Sequence, residues 1–228
     1  KAQEVVFEEE KQFSREKTEN IKEKNEPRKT EFKNETAVKT EKKQEESFEE
    51  FKKSHTKFYV GCSNVETGKA EYLPITDMKE EIDRMRASAS LPLVSKIVKT
   101  AGMKLLDGGC TDSIPVKAFA KMGYNKDVVV LTRHKGYRKE KEGIGLTKLV
   151  YRKYPKFVKA VYKRPDVYNH TLDEIEKWEK EGKIFVIRPS VPLSIGRMEA
   201  DPKKLKEVYE LGRDDALRQI AAMKEWLK

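Results

Sequence analysis

Cysteine and histidine are almost missing from this 228-residue chain, which has two of the first, Cys62 and Cys110, and three of the second, His55, His134 and His170. Two thiols cannot form a disulfide framework and suit a reducing compartment, so a cytoplasmic location is expected. The three imidazoles lack metal-ligand spacing, and neither a metal nor any other cofactor is expected. No apolar run approaches the roughly 18 residues that span a bilayer, and nothing at the start reads as a signal peptide. Glycine is sparse too. Its 12 copies never stand four apart, so the sequence holds no Gly-x-Ser-x-Gly, the sharp turn that exposes a nucleophilic serine.

The first 57 residues lack still more. They contain no Asp, Gly, Leu, Tyr, Trp, Met or Cys, and their 15 Lys/Arg balance 15 Glu. Apolar side chains such as Val5, Phe13, Ile21 and Phe32 are too thinly spread to offset the entropy of ordering so many residues, so disorder or a transient charged helix is expected. Because the segment is neutral, the net charge of +10 belongs to the remainder. Mixed charge also makes it a poor nucleic-acid arm.

From Lys57 the composition becomes globular. Phe58 to Cys62 and Ala70 to Leu73 read as a hairpin around Glu66-Thr67-Gly68-Lys69. Asp77-Met78-Lys79-Glu80 reads as a capping box opening a helix with Met78, Ile82 and Met85 inward, ending near Ala87 to Ser90. Val116 to Met122 is expected to be a short helix closed by Gly123. The unbroken apolar runs Val128 to Leu131 and Ile184 to Ile187 suit strands covered on both faces, hence a parallel sheet flanked by helices. Thr171-x-x-Glu174 reads as the start of a helix with Leu172, Ile175 and Trp178 inward and Gly182 past its end. Asp201-Pro202 opens the last helix, with Leu205, Val208, Gly212, Ala216, Ile220, Met223 and Leu227 toward the sheet. The basic and aromatic stretch 134–170 reads mainly as a solvated helix face.

The chemistry centres on Met103-Lys104-Leu105-Leu106-Asp107-Gly108-Gly109. A short buried strand stops at a carboxylate, and two glycines let the backbone turn tightly after it. Alone, such an aspartate is more often a turn residue bonding its own backbone two positions on. The context is fuller. Ala87-Ser88-Ala89-Ser90-Leu91-Pro92 precedes the motif and Ser113-Ile114-Pro115-Val116 follows it, with Phe58 to Gly68, Val128 to Arg133 and Ile187-Arg188-Pro189-Ser190 further out. Together these resemble, in the same order, the second half of patatin-like phospholipases, above all their bacterial branch, over about residues 46–228.

The resemblance implies a serine lipid acyl hydrolase that works with a Ser-Asp dyad, and Asp107 matches the proton acceptor of the family's Asp-Gly-Gly motif. Gly108 and Gly109 complete that motif. Ser88, Ser90 and Ser113 are expected to line the site; none lies between glycines on an elbow, so none suits the nucleophile. The family's elbow and oxyanion loop precede the matched part, so this chain is expected to supply the base and to be inactive alone. Residues 1–45 are expected to stand in place of family sequence through truncation, a frame error or recombination.

The expected fold is α/β: an incomplete patatin-like sheet, partly parallel, flanked by helices and preceded by the charged segment. Asp107 is expected beyond a strand end, between two strands of that sheet. An acyl lipid or phospholipid is the implied substrate, and moderate basicity suits peripheral contact with an anionic membrane. A half-sheet exposes apolar edges, so self-association is expected. Two other classes fit the residues: a non-catalytic lipid-surface or scaffold protein on the same half-fold, and a basic nucleic-acid binder. The last is disfavoured because no recognition motif accompanies the charge.

Overall fold

Buried at Val60 and from Cys62 through Asn64, and paired on both edges, β1, Phe58–Asn64, is the strand on which the first half of the fold is assembled. The computed structural model describes residues 47–124, 126–196 and 199–228, so the expectation for residues 1–45 lies outside the described residues. The chain divides into two compact units, 1–55 and 56–228. In the first, residues 47–53 are helical.

The second unit begins with the hairpin expected from sequence, β1 with β2, Ala70–Ile75. Asn64 shapes its turn: Oδ1 accepts from the N–H groups of Glu66 at 3.0 Å and Thr67 at 3.2 Å. Gly68 is required there, with φ at +67° and a missing Cβ that would fall 2.5 Å from the Lys156 carbonyl oxygen. Helix α1, Ile82–Ser88, follows. Then β3, Val98–Thr100, and β4, Met103–Asp107, form a second hairpin. Ala101 at φ 50° and Gly102 at φ 71° make the tight connection, since left-handed pairs match the twist of flanking strands. The sheet order is β2-β1-β4-β3, antiparallel throughout.

After β4 come α2, Val116–Lys121, and β5, Asp127–Val130; then α3, Gly145–Val150, α4, Pro155–Lys180, and β6, Ile184–Ile187. Helix α5, Pro202–Leu227, closes the chain. Strands β5 and β6 pair in parallel in their own two-stranded sheet. The fold is mixed α/β, partly parallel and partly antiparallel.

Two apolar clusters sit beneath these sheets. Val65, Leu106, Cys110, Tyr151 and Phe157 form one. Val116, Leu131, Leu172, Ile175, Ile184 and Val186 form the other. Helix α4 serves both: Phe157 and Ile175 are each fully buried and stand about 27 Å apart along the axis at 1.5 Å per residue. Each such side chain contributes about 1.5–3 kcal/mol.

Several expectations are corrected. Asp107 does not lie beside β5: its strand pairs with β1 and β3, while β5 belongs to the separate parallel pair. Asp77 Oδ1 does accept from the N–H groups of Lys79 and Glu80, but the returning carboxylate is Glu81, which accepts from Thr76 N at 2.7 Å, and helix α1 starts only at Ile82. Ile82 is 52% exposed, not core. Thr171 starts nothing, because α4 runs unbroken through it, although Leu172 and Ile175 do face the core.

Helix α5 begins as expected, Asp201 accepting from Lys203 N at 2.9 Å. Its inward face is turned by about one residue. Leu205, Ile220 and Leu227 are exposed, whereas Asp215 is buried. A carboxylate takes an inward position because Ser190 N donates to it at 2.9 Å and Arg218 pairs with it. Apolar periodicity alone misses a polar anchor of this kind. The far end is fixed by Trp226, whose indole N–H donates to the Gly182 carbonyl at 3.1 Å.

Candidate active site at the Asp-Gly-Gly turn

Strand β4 delivers Asp107 to the start of a single 3₁₀ turn, Gly108–Cys110. Carboxylate oxygen Oδ1 accepts from Gly109 N at 2.6 Å, the two-residue backbone contact that Asp makes readily before Gly. Oδ2 has no hydrogen-bond partner among the described residues. The main chain around it is pinned. Asp107 N donates to the Ser90 carbonyl at 2.9 Å. Fully buried Ser63 donates from Oγ to the Asp107 carbonyl at 2.7 Å, with Thr111 Oγ1 2.8 Å away.

Gly108 is sterically demanded by backbone, and Gly109 is crowded by side chains. A Cβ on Gly108 would stand 2.4 Å from the Gly61 carbonyl oxygen, where β1 crosses behind the turn. A Cβ on Gly109 would stand 2.9 Å from Asp107 Oδ1, 3.5 Å from Arg164 Nη2 and 3.7 Å from Ser113 Oγ. Carboxylate, guanidinium and hydroxyl thus converge on one point beside Gly109. Asp112, the next acid along, is committed elsewhere: Oδ2 accepts from the Tyr72 hydroxyl at 2.5 Å and Oδ1 from Ile114 N at 3.2 Å. Burial first, and then Asp112, pushes the Tyr72 hydroxyl above its ordinary range.

A cavity of about 940 Å³ opens against this turn, with Gly109 and Ser113 in its wall. Ile114, Val116 and Leu131 make part of the wall apolar, and Arg133 and Arg164 give it charge. Of the three serines expected to line the site, only Ser113 does, donating meanwhile to the Gly109 carbonyl at 2.8 Å. Ser88 donates to the Gly61 carbonyl and Ser90 to the Arg86 carbonyl, each at 2.7 Å. Their hydroxyls are spent on backbone, and Ser90 serves the site through its own carbonyl.

Arg164 is the residue that sequence reasoning missed. It lay inside the basic stretch read as a solvated face, and nothing local sets it apart from Lys163 or Lys159. What distinguishes it is its place on α4, opposite the Asp-Gly-Gly turn. Its Nε is buried with no hydrogen-bond partner among the described residues. Elsewhere that stretch is partly neutralised, Arg138 by Asp173 at 2.6 Å and Lys141 by Asp166 at 3.2 Å.

The two thiols flank the same turn, and both are buried. Burial foremost, with the nearby Asp107 charge, pushes Cys62 up to about 11 and Cys110 up to about 12. Among the described residues, no helix is long and apolar enough to cross a membrane.

Residues 154–228 match the family described as DUF6363, a domain of unknown function. The chain is 29% identical over 140 residues to the uncharacterized protein YjjU of Escherichia coli (strain K12), a match spanning 58% of this chain and 38% of that protein. The chain thus spans well under half the length of this relative. Arg164 lies within the DUF6363 region and Asp107 before it, so the candidate site joins that region to the part of the chain that precedes it.

Proposed function

We propose that Asp107 is the proton acceptor of a patatin-like serine lipid acyl hydrolase, of which these residues form the base-bearing part. One observation carries the reading: Gly109 N fixes one carboxylate oxygen at a strand end, the other has no hydrogen-bond partner among the described residues, and a cavity with apolar and cationic walls opens at Gly109. A general base needs such a defined orientation with one lone pair left for the reacting proton. In the first step a serine Oγ attacks the ester carbonyl carbon, and its proton passes to Asp107 Oδ2. That proton then goes to the departing alkoxide as the C–O bond breaks. Water repeats the sequence on the acyl-serine and releases the fatty acid. The serine comes from a Gly-x-Ser-x-Gly segment outside these 228 residues.

A fluorophosphonate probe and an ester substrate test this. The 228-residue chain is expected not to label, whereas a form extended by an elbow-bearing segment labels and hydrolyses ester. In that form Asp107→Asn should lower hydrolysis by about 10²-fold or more, the usual contribution of a positioned base. Undiminished hydrolysis in Asp107→Asn would sink the proposal.

A second reading is favoured by the same 2.6 Å contact, since an aspartate that only shapes its turn makes it too. It makes the protein a non-catalytic lipid-surface relative. On that reading the elbow-bearing form hydrolyses no ester, and Asp107→Asn changes only stability.

A further inference from the structure

We infer that the cavity beside Asp107 selects an acyl lipid ending in a phosphate monoester, held by Arg164 and Arg133, and rejects a zwitterionic choline head group. This rests on the lipolytic reading of Asp107 and adds to it the charge of the substrate.

The argument starts from two guanidinium groups that form no ion pair among the described residues, although the Asp107 carboxylate lies near Arg164 beside Gly109. Neither Arg164 nor Arg133 pairs with a carboxylate among the described residues, and Arg164 Nε is a buried donor with nothing to donate to. Arg164 Nη2 stands beside Gly109 in the cavity wall, 3.5 Å from where a Cβ on that glycine would lie, so a ligand oxygen seated there can accept a charge-assisted hydrogen bond from it. A guanidinium also meets phosphate through paired N–H groups, a match that an ammonium lacks.

The two arginines share a wall. Both lower the Tyr168 hydroxyl, although burial and Tyr137 outweigh them and its net shift is upward. Arg133 stacks over the Tyr137 ring at 5.1 Å, and Tyr137 meets Tyr168 edge-on at 6.0 Å. Tyr137 thus braces Arg133, and both arginines line the cavity. Lys139 and Lys141 line it further out.

Three acids also line the cavity. Glu140 and Glu142 are exposed to water. Buried Asp127 opens β5, whose four residues put about 10 Å of strand between it and the end nearer Arg133. Burial raises its carboxyl above the usual range. Arg133 and Arg164 make their end of the cavity cationic, which disfavours a quaternary ammonium. Ile114, Val116 and Leu131 supply the apolar surface for the acyl chains.

The probes are dihexanoyl phosphatidate, dihexanoyl phosphatidylcholine and inorganic phosphate, each titrated calorimetrically into the 228-residue chain, the two lipids below their micellar concentrations. Phosphatidate is expected to bind at least about 10-fold tighter than either of the others, and its affinity should fall as salt is raised. Arg164→Gln and, separately, Arg133→Gln should each weaken it by about 10-fold, the usual weight of a charge-assisted hydrogen bond. Lys203→Gln, far along the chain in α5, should not. A circular-dichroism melt qualifies each variant, and Arg133→Gln keeps the test decisive if Arg164→Gln fails to fold. Equal binding of phosphatidylcholine overturns the inference, as does unaltered affinity in the folded variants. Inorganic phosphate binding as tightly as phosphatidate overturns its lipid part. These are binding readouts, so failure here is distinct from the failure of Asp107 as a base, which shows only in hydrolysis.

Discussion

Replacing Gly108 by alanine tests the architecture of the site most directly. The new methyl carbon would lie 2.4 Å from the Gly61 oxygen, 2.5 Å from the Gly61 carbonyl carbon and 3.0 Å from Cys62 N. All three are main-chain atoms of β1, which is hydrogen-bonded to β2 on one side and β4 on the other, so no flexible side chain can yield. The strands must part by about 1 Å to reach ordinary contact distance. Overpacking of this kind costs about 1–3 kcal/mol. Weakening the Cys62–Asp107 pairing, and the Ser88 bond to the same Gly61 oxygen, adds about 1 kcal/mol for each hydrogen bond lost. Against this, alanine loses up to about 1 kcal/mol less backbone entropy on folding. The net expectation is a loss of about 2–4 kcal/mol, large against the 5–15 kcal/mol that holds a typical domain together. Urea unfolding followed by tryptophan fluorescence and far-ultraviolet dichroism measures it. Gly109→Ala is the comparison. Its methyl meets a carboxylate oxygen that can swing, so it should cost less stability while displacing Asp107. An unchanged urea midpoint for Gly108→Ala would mean that β1 does not run behind the turn as described.

Removing Asp215 should cost about 2–3 kcal/mol by urea melt at neutral pH, since a charge-assisted bond to Ser190 N is lost while the exposed Arg218 pair adds little. Burial alone would raise this carboxyl, but the Ser190 and Arg218 hydrogen bonds together hold it below the usual range. Its contribution is therefore present above the ordinary carboxylate value and lost as pH falls through the lowered one, so wild type and Asp215→Ala should converge in stability in acid; a constant gap would refute this. Asp127 has the opposite sign. Its raised carboxyl penalises the folded state as pH rises, so Asp127→Asn should stabilise the protein at neutral pH and not below the carboxylate's usual 3.8; destabilisation at neutral pH would refute it. Cys62 and Cys110, pushed up to about 11 and about 12, should react with a disulfide reagent at mildly alkaline pH only after urea is added; a native-state burst would contradict their burial.

Much of the scaffold was legible wherever local chemistry fixes local shape. The β1–β2 turn, the strand stopping at Asp107, Gly123 at φ 89° and the Asp201-Pro202 helix start each follow from a few adjacent residues. What sequence misread was long-range. The uninterrupted run of β5 does signal a parallel neighbour, but nothing in it says that the neighbour is β6 alone or that β4 pairs elsewhere. Strand β3 is too short to announce itself, with three residues of which one is buried. The break expected at Thr171 failed because a capping pattern and an interior threonine look alike when tertiary packing carries the helix through. The motif pointed to Asp107 and its glycines; Arg164, 57 positions further on, could be found only once the chain was folded.

Helix α4 has a bearing on how this region can move between proteins. The stretch resembling DUF6363 starts at Tyr154, yet Phe157, within its first turn, completes the packing of Val65 and Leu106 far upstream. A module excised at Tyr154 would carry away one wall of a room whose other walls stay behind. Recombination at that seam leaves two greasy wounds, one on each product, unless the new neighbour offers an equivalent socket for the phenyl ring. The inheritable piece is thus larger than the homologous stretch, and its natural edges fall where no single helix belongs to two cores.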